Sequence, residues 1–115
     1  MTYKIVYTGR LVSSNTFYAG GDWRVRNGIQ QKWHKIYSIL FLEAKLKPFK
    51  SFDLRVLYNS RHDVDNISAN VKLCADSLKG KYIKDDSSDY FQSMSIRRDK
   101  SLPKNTIEFY IDTHD

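Results

Sequence analysis

The sequence predicts an α+β domain, a mixed sheet with two helices packed on it, in the order β-α-β-α-β-β. Three observations predict it. Aromatic residues make up 14% of the chain, including eight tyrosines, a composition suited to a core built on strands. Two stretches carry apolar residues at helical spacing: Ile29, Trp33, Ile36, Tyr37, Leu40 and Ala44 in the first, and Ile67, Val71, Cys74 and Leu78 in the second. Short β-prone segments separate and flank them. The alternation of strand and helix implies some parallel pairing, and two successive strands at the end imply an antiparallel hairpin.

Each element has its own signals. Residues 3–7, Tyr-Lys-Ile-Val-Tyr, read as a first strand. Residues 8–24 are rich in Gly, Ser and Asn and read as a long loop holding Ser13, Ser14, Asn15, Tyr18, Gly20 and Gly21. Loops of this length inside small domains are often functional. A first helix is predicted from Val25 to about Leu46, stopping before Pro48. Ser51–Tyr58 alternates Phe52, Leu54, Val56 and Tyr58 with Asp53, Arg55 and Leu57, a strand pattern. A second helix is predicted from Asp65 to Leu78, with Gly80 as its stop. The last strands fall near Tyr90–Ile96 and Thr106–Ile111, joined by the loop Arg97–Asn105.

The chain of 115 residues is the size of one domain, residues 1–115, with a core large enough to need no staples. Cys74 is its only cysteine, which excludes an intramolecular disulfide and a cysteine-built zinc site. It fits a small core position on the second helix. No apolar run approaches the ~20 residues of a membrane span, and the N-terminus lacks a signal-peptide pattern. The expectation is a soluble, cytoplasmic protein with no membrane partner. The glycines form neither a phosphate-binding P-loop nor a dinucleotide fingerprint, so no organic cofactor is expected.

The net charge is +6, and the charge is unevenly placed. Residues 23–50 carry seven Lys and Arg against Glu43 alone, whereas residues 61–90 carry six Asp among five Lys and Arg. A basic chain with a local carboxylate cluster points to a polyanionic partner beside a metal-binding or acid–base site. The acidic segment begins Arg61-His62-Asp63-Val64-Asp65-Asn66. Asp63 and Asp65, two apart in an extended stretch, project to one side. On the following helix Asp65, Lys72 and Asp76 fall within ~40° of one another, opposite the apolar stripe. A second acidic group, Lys84-Asp85-Asp86-Ser87-Ser88-Asp89, leads into the next strand. If that strand lies beside the one ending at Tyr58, Asp85 or Asp86 is expected to reach Asp63 and Asp65. Clustered carboxylates repel unless a cation compensates, and Mg2+ prefers such oxygen ligands. Structural readings stand beside these: Asp65 as a helix cap, Lys72–Asp76 as a surface pair, and Asp85–Asp89 as a solvated turn. His34 and His62 read as structural. For the basic surface, Arg24 and Arg26 match phosphate oxygens, while Tyr18 and Trp23 offer stacking faces. Trp23 can equally staple the helix start.

The run Asp63-Val64-Asp65-Asn66, then Lys72-x-x-x-Asp76-x-Leu78, then Ile83-x-Asp85-Asp86-Ser87, resembles the RusA family of Holliday junction resolvases, small homodimeric endonucleases of bacteriophages and prophages. Ser14-Asn15, Tyr18, an Arg-containing loop and a long helix extend the resemblance over nearly the whole chain. It implies structure-selective cleavage of four-way junctions and other branched DNA by paired nicks, dependent on Mg2+, with Mn2+ an expected substitute. It assigns Asp63, Asp65 and Asp86 as catalytic metal ligands, Asp85 as their acidic neighbour and Lys72 as the catalytic lysine. Asn15, Tyr18, Trp23, Arg24, Arg26, Lys32 and Arg61 are the expected DNA contacts. Five residues separate Asn66 from Lys72, more than in the best-known members. The rival reading is a non-catalytic nucleic-acid-binding module whose acidic cluster is made of turns and caps.

Overall fold

The computed structural model describes residues 1–18 and 23–115. Gly20, Gly21 and Asp22 of the expected basic loop lie outside the described residues. The elements are β1 (Thr2–Thr8), α1 (Ser14–Phe17), α2 (Trp23–Glu43), β2 (Ser51–Asn59), a 3-10 turn (Asp65–Ile67), α3 (Ser68–Leu78), β3 (Phe91–Arg98) and β4 (Thr106–His114). The α+β class, with helices and one mixed sheet, follows the sequence reading. Within the loop expected over residues 8–24 the chain forms the single turn α1, and α2 begins at Trp23. The second helix starts as a 3-10 turn and becomes regular only at Ser68.

The four strands form one mixed sheet in the order β1-β4-β2-β3. β4 runs antiparallel to both β1 and β2, and β3 runs parallel to β2. The expected terminal hairpin is therefore absent: β3 and β4 are not neighbours. The reason lies in their composition. β4 carries Ile107, Phe109 and Ile111, all buried, and even Glu108 is covered. Such a strand belongs in the centre. β3 reads Phe-Gln-Ser-Met-Ser-Ile-Arg-Arg and stays mostly exposed, so it takes the edge. Because β2 and β3 are parallel, α3 must carry the chain back between them.

The core lies between the helices and one sheet face. Ile5, Leu54, Val56, Tyr58, Ile107, Phe109 and Ile111 meet Trp33, Tyr37 and Phe41 of α2 and Val71, Leu73 and Cys74 of α3 in one buried cluster. Tyr37 is central, with ring contacts to Trp33, Phe41 and Phe109. The opposite sheet face is a polar network. Arg55 Nε donates to Asp112 at 2.8 Å, Ser93 Oγ donates to Asp53 at 2.6 Å, and Lys4 pairs with Glu108 at 3.4 Å.

Both long helices end on a residue with positive φ. After α2, Lys45 adopts φ 58°, the Leu46 amide donates to Phe41 O and the Lys45 amide to Leu42 O, each at 3.0 Å. This closes the carbonyl end in the way a glycine usually does. After α3 the position is Gly80, φ 84°, as the sequence suggested.

Candidate nucleic-acid interface

The segment from Ser60 to Asn70 is fixed by the loop that follows β1. The buried Asn70 side chain donates to Val12 O at 2.7 Å and accepts from the Val12 amide at 3.1 Å. Asn66 Oδ1 accepts from Ser13 Oγ and from the Asn15 amide, both at 3.0 Å. Ser14 Oγ accepts the Ala69 amide at 2.9 Å, capping the first turn of α3 from a distant part of the chain. The asparagine of the Asp-x-Asp-Asn run thus holds one loop against another. Ser13 and Ser14, read as loop residues, are its partners.

This clasp forms one side of a groove of about 740 Å³. Arg10 comes from the loop after β1, Lys32 from α2, and Arg61 with His62 from the segment after β2, while Ile29 and Trp33 lie along its base. Among the described residues no carboxylate lines it. Among the described residues the ion pairs involve neither Arg10, Lys32 nor Arg61. Two of the expected DNA contacts, Lys32 and Arg61, are brought together here. Arg10 was missed by sequence reading: it stands alone in a Gly-, Ser- and Asn-rich stretch, and only the fold brings it to the same groove as Arg61.

Asp63 and Asp65 follow directly on the groove wall and are exposed. The Asp63 carbonyl accepts the amides of Asn66 at 3.0 Å and Ile67 at 3.1 Å, so the motif forms its own turn. Tyr58 Oη donates to His62 O at 2.9 Å. Burial pushes the Tyr58 phenol up, and the nearby charges of Asp63 and Asp65 add to this against the opposing pull of Arg98. Burial and then the Arg61 guanidinium lower the His62 pKa, favouring a neutral ring.

The other acidic residues sit at the far end of α3. Lys79 Nζ lies 3.2 Å from Asp86 Oδ1 and 4.0 Å from Asp85 Oδ1, and Lys72 Nζ lies 3.6 Å from Asp76 Oδ2. Burial and then the neighbouring Asp86 carboxyl raise the Asp76 pKa, whereas Asp86 is lowered, Asp76 and Lys79 outweighing its burial. The expectation that Asp85 or Asp86 meets Asp63 and Asp65 is therefore corrected. β3 does lie beside β2, but in parallel. Asp63 follows the end of β2 and Asp86 precedes the start of β3, so parallel pairing places them at opposite ends of α3. Its 11 residues span ~16 Å. Lys72 stays on the face shared by Asp65 and Asp76, but its ammonium is turned to Asp76.

The remaining expected DNA contacts lie around α1 and the start of α2. Arg26 packs over Phe17 at 4.8 Å and Tyr18 at 5.1 Å, and Arg24 lies 5.9 Å from the Trp23 ring. Trp23 and Tyr18 are exposed. The Asn15 amide belongs to the Asn66 clasp, and its side chain is exposed.

No family model matches the chain, and no curated protein matches it. Among the described residues, no group of three or more His, Cys, Asp or Glu side chains could hold a metal ion. Among the described residues the three carboxylates that the resemblance assigns to Mg2+ are not brought together: Asp86 lies with Lys79 at the far end of α3. Among the described residues no helix is long and apolar enough to cross a membrane.

Proposed function

We propose that this chain is a nucleic-acid-acting protein of the RusA type, a structure-selective endonuclease for four-way junctions and other branched DNA. One observation carries the reading: the segment that supplies Arg61 and His62 to a basic groove lined by Arg10 and Lys32 continues into the exposed pair Asp63 and Asp65. Cations that draw in a phosphodiester stand next to carboxylates able to accept a proton from an attacking water. Arg10, Lys32 and Arg61 neutralise the backbone, and guanidinium groups match its non-bridging oxygens. The motif resemblance supports DNA as the polymer and two copies as the working unit, since paired nicks need two centres related by a two-fold axis.

The separation of Asp86 from Asp63 and Asp65 favours a second reading, a binding module without cleavage. A synthetic four-way junction decides between them, incubated beside linear duplex with Mg2+, with Mn2+ and with neither. Metal-dependent nicks on the junction alone support the endonuclease. Retained binding without nicks in any metal establishes the module. Light scattering of the junction complex tests the dimer.

A further inference from the structure

We propose that the basic groove takes the sugar–phosphate backbone of a single unpaired nucleic-acid strand, with Arg10, Lys32 and Arg61 as its phosphate contacts. The inference rests on the nucleic-acid reading above and names the part of a branched substrate that this site holds.

The groove belongs to three separate segments: Arg10 from the loop after β1, Lys32 from α2 and Arg61 from the turn after β2. Cations from three separate segments line one groove, so a chain lying in it meets charge from more than one element. A duplex is touched only from outside and cannot be met in this way. The volume of about 740 Å³ is within the range of small-ligand sites, ~300–1,000 Å³, enough for a stretch of one backbone and too little for two. The half-buried Ile29 adds an apolar lining that suits sugar faces. Trp33 itself is buried against Tyr7, ring centroids 4.8 Å apart, so it offers no open face for stacking. The site therefore reads backbone and not base. The other large cavity, about 440 Å³ between α2 and α3, is lined by Asp76 and Lys79 as well as His34 and Lys35. Its charges are of both signs, and Asp76 and Lys79 are already engaged with neighbours.

Hydrogen bonds within the chain hold the backbone that presents these cations. Gly9 sets the approach of Arg10: its amide donates to Asn105 O at 2.9 Å, its φ is 149°, and an added Cβ would lie 2.8 Å from Tyr7 Oη. His62, beside Arg61, is fixed by Ser60, whose Oγ accepts the His62 amide at 3.3 Å and lies 2.8 Å from the ring Nδ1. Gly9 and Ser60 are positioning residues. The ordering cost that flexible lysines and arginines impose on binding is reduced where the backbone presenting them is already fixed.

The test is fluorescence anisotropy with a labelled single-stranded oligonucleotide, at several salt concentrations and in EDTA, so that cleavage plays no part. Arg10→Gln and Lys32→Gln should each weaken binding and each lower the magnitude of the slope of log K against log salt by about 0.7, the increment for one single-strand phosphate contact. Gly9→Ala should weaken binding with the charge unchanged. Lys84→Gln, beyond the far end of α3, should leave affinity and slope near those of the parent. Thermal melts by circular dichroism verify folding, and the two charge changes are at exposed positions. Unchanged affinity and slope in folded Arg10→Gln and Lys32→Gln would overturn the proposal. Equal loss of affinity for blunt duplex would overturn the single-strand assignment, and competition by a mononucleotide at equal phosphate concentration would make the groove a nucleotide pocket instead. Groove-dependent binding by a protein that nicks no junction leaves this proposal standing and removes the endonuclease. Normal junction nicking by variants with unaltered strand affinity does the reverse.

Discussion

The two ends of α3 carry similar residues and different chemistry. At its C-terminal end Asp76, Asp85 and Asp86 lie among Lys72 and Lys79, at 3.2–4.0 Å. At its N-terminal end Asp63 and Asp65 are exposed, and the cations beside them line a groove that holds no carboxylate among the described residues. Charges paired within the chain stabilise it modestly and leave little field for a ligand. Charges of both signs held near one another but left unpaired are what a phosphodiester and its attacking water need. A count of acidic residues ranks the C-terminal group first; the comparison ranks the N-terminal end first.

The largest expected difference between the ends is in cleavage. Asp63→Asn or Asp65→Asn should lower junction nicking at least ~100-fold, the scale for losing one preorganised group at a reacting centre, with junction binding retained in a gel shift. Asp86→Asn should cost much less. Equal loss in all three would mean that the two ends meet in the working complex.

The next effect tests the clasp that holds the N-terminal end in shape. Asn70→Ala strands the buried amide and carbonyl of Val12, each worth ~1–3 kcal/mol when unsatisfied. A destabilisation of about 2–3 kcal/mol in chemical denaturation is expected, together with weaker strand binding through the loosened Arg10 loop.

A smaller effect, of opposite sign, belongs to the C-terminal end. The folded pKa of Asp76 is raised, first by burial and then by the neighbouring Asp86 carboxyl. Its contribution to stability is therefore fully present below the unfolded value, ~3.9, and is lost as pH rises through the folded value. Asp76→Asn should raise the melting temperature at pH 7 and leave it unchanged near pH 3. Asp86, whose folded pKa is lowered by Asp76 and Lys79 despite burial, behaves in the opposite way: its contribution is lost as pH falls.

The smallest effect concerns Lys72. Its i,i+4 pair with Asp76, at 3.6 Å, is worth ~0.2–0.5 kcal/mol. Lys72→Ala should shift stability by no more than that and leave nicking near the parent level. A ~100-fold loss of nicking would restore the catalytic role that the motif resemblance assigned and would weaken the separation of the two ends.

Much of the fold was legible because it rests on local periodicity. The stripe through Trp33, Tyr37 and Leu40 marks α2, and the alternation through Leu54, Val56 and Tyr58 marks β2. The strand order was not, because it depends on which strand can be buried on both sides. The contrast between Ile107-Glu108-Phe109 and the polar run Gln92-Ser93-Met94-Ser95 held that information, but a short connection suggested a hairpin. The placement of Asp86 went wrong for a related reason: adjacency of strands was anticipated, whereas parallel direction fixes which ends meet. Asp63, Asp65, Lys32 and Arg61 were legible from charge and motif. Arg10 and the roles of Asn66 and Asn70 were not, because their partners lie 51 to 58 residues away in the chain or across a groove that exists only after folding.

The most direct test of the asymmetry is an amide chemical-shift titration of the isotopically labelled protein with a branched oligonucleotide, without divalent metal. The account predicts that the shifts concentrate on Arg10, Lys32, Arg61, His62 and Asp63, with Asp76, Lys79 and Asp86 left unmoved. Shifts centred on Asp76–Asp86, with the groove residues unmoved, would contradict it.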